Sequence, residues 1–209
     1  MTPTRKRNPR SGSTILEFAL FALVTVPATL GVVGVGMTLG AYIRILQTTR
    51  DAAHMFARGI DFNTTGNQDM VVRLASTLNL TRNGGDGVVI FSKIITPYQA
   101  DCDAASVQNC SNLGVPVVIH RTTVGASQLR ASSYATPRTQ ILSGEGNIAP
   151  SDYLTDFSVR APSATGEFTT SGVTQERGDI AYVVEGYFSL PTLRFLGYAP
   201  NGAYCRFMF

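Results

Sequence analysis

An uncharged, mostly apolar run over residues 18–43 constrains this chain more than anything else in it. As a helix rising 1.5 Å per residue it spans about 39 Å, against about 30 Å for the hydrocarbon core of a bilayer. The apolar core of a cleaved signal peptide has only about 7–15 residues, so the run reads as a membrane-spanning segment instead. Glu17 stands at its mouth. A charged side chain deep in hydrocarbon costs about 2.5–3.5 kcal/mol on insertion scales, which favours a partner for this carboxylate. Just upstream lies a basic stretch, Arg5, Lys6, Arg7 and Arg10, which ends in the small residues Ser11 and Gly12.

The net charge of +3 belongs to that leader. Four of the 17 Lys and Arg lie in the first ten residues; the remaining 13 face 14 Asp and Glu, for a net of −1. The body is therefore not basic, and no Lys/Arg stripe or aromatic-rich basic patch points to nucleic acid. Cations before the first membrane helix mark a cytoplasmic N-terminus. The far flank is milder, with Arg44 and Arg50 offset by Asp51. The expected topology is single-pass, with membrane lipid around the helix, the N-terminus inside and the C-terminal domain in the periplasm or beyond.

One long helix is expected over residues 13–58, its membrane part at about 18–43. Pro27 lies inside the run and should kink or loosen one turn. Gly36 and Gly40 form a small-xxx-small pair through which another helix can approach closely. Past Ile43 the pattern turns amphipathic. Arg44, Gln47, Asp51, His54 and Arg58 fall on one face, and Tyr42, Ile45, Thr49, Ala53 and Phe56 on another. Gly59 supplies the stop. The helix is thus expected to continue into the soluble domain as its spine, with His54 on the solvated face.

The remaining residues, 60–209, read as a small α+β domain with an antiparallel sheet. A second helix is expected over 68–80, and β-branched strands over 88–95 and 115–123. Residues 125–178 are polar and irregular, with a short strand at 153–159. A strand is expected at 179–190 and an edge strand at 204–209. Between the first two strands, Cys102 and Cys110 sit in a polar loop. Such a close pair in an exported domain is most simply a disulfide, worth about 2.5 kcal/mol in the chain-entropy model. Pairing with the third cysteine, Cys205, stays open on sequence grounds. Zinc is disfavoured, because neither a CxxC nor a paired-His motif occurs.

Enzyme constellations are missing. His54 and His120 lack metal-ligand spacing, and no GxSxG, P-loop, HExxH or EF-hand pattern occurs. Ser143-Gly144-Glu145-Gly146 reads as a turn, and Asp101 and Asp103 beside the cysteine loop as solvated residues rather than a calcium site. No catalytic residue, metal ligand or cofactor is expected.

From Gly12 to Arg58 the chain resembles the TadE/TadF-like minor pseudopilins of the tight-adherence (Flp, type IVc) pilus. The resemblance rests on Gly12-Ser13-Thr14-Ile15-Leu16-Glu17-Phe18, the apolar run, and the exit from Tyr42 through His54. It implies that residues 1–12 are a leader cut between Gly12 and Ser13 by a prepilin peptidase. Glycine suits that step because it has no side chain to obstruct an extended backbone. It also implies that Glu17, then the fifth residue, meets the free amine of a neighbouring subunit, and that Phe18 and the apolar stripe pack laterally. The implied partners are the peptidase, other pilins and pseudopilins, and the inner-membrane assembly platform. The alternative is a generic signal-anchored periplasmic binding or enzymatic domain, with Gly12 a coincidence and Glu17 in the headgroup zone near Arg10. A conventional secreted protein would need a signal-peptidase site near Pro27-Ala28-Thr29-Leu30, which lacks a small-x-small exit.

Overall fold

The structure is a computed structural model that describes residues 11–170, 176, 178–189 and 202–209. The basic leader up to Arg10 and the last residue of the expected strand 179–190 lie outside the described residues. Two compact units divide the chain, Met1–Ala41 and Tyr42–Phe209. The architecture is α+β.

Helix α1 (Ser11–Ala57) is continuous, and Pro27 sits inside it without ending it. It is the one helix among the described residues long and apolar enough to cross a membrane. Its C-terminus closes as expected. Gly59 N–H donates to Phe56 O (2.9 Å) and Ile60 N–H to Met55 O (3.2 Å), with Gly59 at φ +86°. This is the pair of bonds that ends a helix on a left-handed glycine.

In the second unit, α2 (Thr65–Leu74) and a 3-10 turn, Ser76–Leu78, replace the single helix expected over 68–80. The helix starts three residues earlier. The helix stops at Leu74, and the 3-10 turn ends at Asn79, whose left-handed conformation (φ 52°) leads into a small hairpin, β1 (Leu80–Thr81) and β2 (Gly84–Gly85). The main sheet follows with β3 (Gly87–Ile95), α3 (Gln99–Ala104) in the connecting loop, and β4 (Val117–Gly125). The expected short strand at 153–159 is instead helical: α4 (Pro150–Tyr153) and a 3-10 turn, Phe157–Val159. Pro150 at the first position and the Asp156 side chain accepting from Ser158 N–H (2.7 Å) favour turns over an extended chain there. A further helix, α5 (Pro162–Thr170), lies where an irregular segment was expected. Strands β5 (Ala181–Phe188) and β6 (Ala203–Met208) complete the sheet, which runs antiparallel in the order β4-β3-β5-β6, with β6 at an edge as expected.

The register splits the sheet into two faces. Phe91 pairs with Thr122 and Val184, Lys93 with His120 and Tyr182, and Gly186 with Cys205. This face takes the last turns of α1: Phe56 makes edge contacts with Phe91 (5.3 Å) and Tyr182 (5.3 Å), and Phe62 stacks on Phe91 (4.2 Å). On the other face Ile94, Val118, Ala181 and Val183 pack beneath Tyr134, Val159, Ala164 and Phe168. Segment 126–170 is therefore a cover rather than a loose loop. Between Lys93 and Ile94 the register slips by one residue, leaving Ile119 as a bulge on β4.

Candidate functional site

Within α1, residues 14–41 carry their large apolar side chains outward: Ile15 is 73% exposed, Phe18 71% and Val32 74%. Glu17 and Phe18 both lie on this exposed surface, and Gly12 and Ser13 on the first turn of the helix. Three of its threonine hydroxyls are satisfied inside the helix. Thr25 donates to Phe21 O, Thr29 to Thr25 O (2.9 Å) and Thr38 to Gly34 O (2.8 Å). Such bonding keeps a polar atom tolerable in an apolar medium. At Gly36 and Gly40 an added Cβ would meet nothing within 4 Å, so neither glycine makes room for another part of the chain.

The turns of α1 past Ala41 differ. Ile45, Thr49, Ala53 and Phe56 are buried while Arg44, Gln47, Asp51 and Arg58 are exposed, as expected, and Ala52 is buried beside them. Tyr42, read as part of the buried face, is 40% exposed. His54 is half-buried rather than solvated, its ring 4.6 Å from that of Phe209. Contact with the sheet is close at Gly186, where a Cβ would come within 2.2 Å of Thr49 Oγ1. Only a residue without a side chain lets the helix sit there. Beside it, the Cys205 Sγ lies 3.1 Å from Thr49 Oγ1, and burial pushes the thiol pKa up.

Cys102 and Cys110 form the disulfide, at a Cα–Cα distance of 6.2 Å, and Cys205 is free and buried. Asp101 and Asp103 serve α3: Asp101 Oδ2 accepts from Tyr98 N–H (2.8 Å) and Asp103 Oδ1 from the Gln99 side chain (3.0 Å). Among the described residues no group of three or more His, Cys, Asp or Glu is placed to hold a metal ion.

Two polar clusters were not legible in the residue pattern. Under the cover, the carboxylate of Glu185 (2% exposed) accepts from Ser132 Oγ, Ser133 N–H (2.9 Å) and Tyr204 OH (2.8 Å). Arg121, held nearby, donates to Ala135 O (3.0 Å), and burial brings its pKa down to about 10. Burial pushes Tyr204 up to about 12, and its ring faces the Arg130 guanidinium at 3.9 Å. Arg206 pairs with Glu167, which also accepts from Tyr134 OH. Three donors on one buried carboxylate make this a clasp that holds the cover to the sheet.

On the helix side, a cleft of about 160 Å³ opens between Asp61, Asn63, Lys93, His120, Glu145 and Asn147. His120 is buried at its edge, its Nδ1 2.9 Å from Asn147 Oδ1 and its Nε2 3.1 Å from Thr122 Oγ1. Burial is the main influence lowering its pKa below the ordinary histidine value, opposed by the bond to Asn147 and assisted by Lys93. The bulge at Ile119 builds this edge, since Ile119 O turns out to accept from Ile148 N–H (2.9 Å) while Arg121 N–H donates to Gly146 O (2.8 Å). The Ser143–Gly146 turn expected from sequence thus becomes a rung beside β4, and its Gly146, at φ +72°, admits no side chain against Arg121 O.

Comparison of the chain with protein-family models, with curated proteins and with solved structures finds no match in any of the three.

Proposed function

We propose that this protein is a minor pseudopilin, an assembly subunit of a tight-adherence pilus, and not an enzyme. The observation that carries the reading is the division of α1. One stretch exposes an apolar surface all round with Glu17 at its mouth, and the next is amphipathic and packed on a sheet. A helix apolar on every side needs an apolar environment from outside the chain. A bilayer, and then a bundle of like helices in a fibre, supplies it in turn. The cytoplasmic leader is removed after Gly12 by a membrane-embedded prepilin peptidase. Glu17 then meets the new N-terminal amine of a neighbouring subunit, which offsets the burial of both charges and sets the axial register. The domain Tyr42–Phe209 stays outside the cytoplasm, where Cys102–Cys110 can be oxidised.

The test is intact mass and N-terminal sequencing of the membrane-extracted protein from cells with and without the peptidase. The expected chain begins at Ser13 and is lost when the peptidase is absent. An uncut chain in both strains sinks the reading and favours a static anchor. In the processed protein, Glu17→Ala should be cut normally but fail to enter fibres.

A further inference from the structure

We propose that His120 is an acid-operated clasp: proton uptake completes a hydrogen-bond chain from Asp61 to Glu145 and ties the turn behind α1 to the turn beside β4. Asp61 Oδ1 accepts from Asn63 Nδ2 at 2.7 Å and from Asn63 N–H at 2.9 Å, which fixes that amide with its nitrogen toward the carboxylate. Asn63 Oδ1 then has to accept, and at 2.5 Å it takes the single hydrogen of the Thr122 hydroxyl. Thr122 Oγ1 therefore presents a lone pair to His120 Nε2 at 3.1 Å, so that nitrogen has to bring its own hydrogen. On the other side Asn147 Nδ2 points to Glu145 Oε2 (3.4 Å), leaving Asn147 Oδ1 to accept from His120 Nδ1 at 2.9 Å. Both ring nitrogens donate, which only the imidazolium can do.

A neutral His120 leaves the chain one hydrogen short. The Thr122 hydroxyl then turns to Nε2, Asn63 Oδ1 faces an oxygen with no hydrogen between, and the 61–63 turn lets go of β4. The charged and titratable groups around the ring decide when this happens. Lys93 on β3 and Arg121 on β4 oppose the imidazolium, and Asp61 behind α1 favours it. Glu145 lines the same cleft from the 143–147 turn, and Tyr182 on β5 stands beside it, its ring against Phe56 and 5.8 Å from Lys93 Nζ. The clasp is independent of the pilus assignment.

The experiment uses the full chain in detergent micelles with 15N-labelled histidine and asparagine, read by long-range 1H–15N NMR from pH 4.5 to 8. The chain has two histidines, so His54→Gln assigns the His120 signals. Expected on the acid side is a ring protonated at both nitrogens, with the Asn63 side-chain amide protected from exchange. Above the His120 midpoint that protection disappears. Asn63→Ala frees the Thr122 hydroxyl to serve a neutral ring without changing any charge, and should lower the midpoint by about one pH unit. Thr122→Val removes the Nε2 acceptor and should lower it likewise, with Thr122→Ser restoring it. An unmoved midpoint in Asn63→Ala, or Asn63 exchange that ignores the wild-type midpoint, overturns the proposal. If Thr122→Val does not fold, Asn63→Ala alone decides.

Discussion

The two stretches of α1 share one backbone geometry and opposite surroundings. Residues 14–41 bury none of their large apolar side chains, while a few turns later Ile45, Ala53 and Phe56 are 0–2% exposed. What separates them is the placement of polar residues. Past Ile43, Arg44, Gln47, Asp51 and Arg58 gather on one side and leave the other for the sheet. Before it, no such stripe exists. A stripe tells a helix which side its own chain will cover, and its lack assigns the whole circumference to something outside the chain.

That contrast can be broken in order of expected damage. Phe56→Ala removes the ring that Phe91 and Tyr182 pack against, and should cost about 3–5 kcal/mol of domain stability. Val33→Ala, equally apolar but 57% exposed, should leave the urea midpoint where it was. Equal effects in the two variants would erase the distinction between the stretches. Replacing Cys102 and Cys110 together by serine should cost about 2.5 kcal/mol, read by the same titration with and without reductant. Gly186→Ala should cost about 1–3 kcal/mol by pressing a methyl against Thr49, and Thr49→Ser in that background should recover little, because the conflicting Oγ1 remains. Smallest is a pH effect confined to the packed domain. His120 binds its proton less readily when folded than the usual 6.5, so the unfolded chain takes up protons first. Stability should therefore decline as the pH falls from 6.5 toward the folded midpoint, because burying the imidazolium costs more than the closed clasp returns. His120→Gln should flatten that slope.

Much of this was legible from residue order. The run 18–43, the alternating polar face to Arg58 and the Gly59 stop each carry a local signal, and the β-branched strands did too. Segment 126–170 did not. Its helices are short, and the bonds that hold it reach far along the chain, from Ser132 and Ser133 to Glu185 and from Tyr134 to Glu167. Position 120 shows the same limit. Nothing in Val-Ile-His-Arg foretells a one-residue bulge, and without the bulge His120 would not meet Asn147 beside β4. The 153–159 stretch misled because Tyr, Leu, Phe and Val suit a strand, while Pro150 and Asp156, just outside or within it, organise turns.

The positions of the three thiols carry a consequence for oxidation. Cys102 and Cys110 are separated by 8 residues, whereas Cys205 joins from the far end of the chain, on the last strand. Closing a short loop costs less entropy than closing a long one, so the local pair wins the race for oxidant while β6 is still unplaced. Once β6 docks beside β5, Cys205 is shut against Thr49 with its thiol disfavoured as thiolate, the form that exchanges. An oxidising compartment thus yields one crosslink and one inert sulfhydryl from three cysteines, without a dedicated device to choose between them. Counting alkylated sulfur then reports conformation directly: none in the native chain, one after denaturation without reductant.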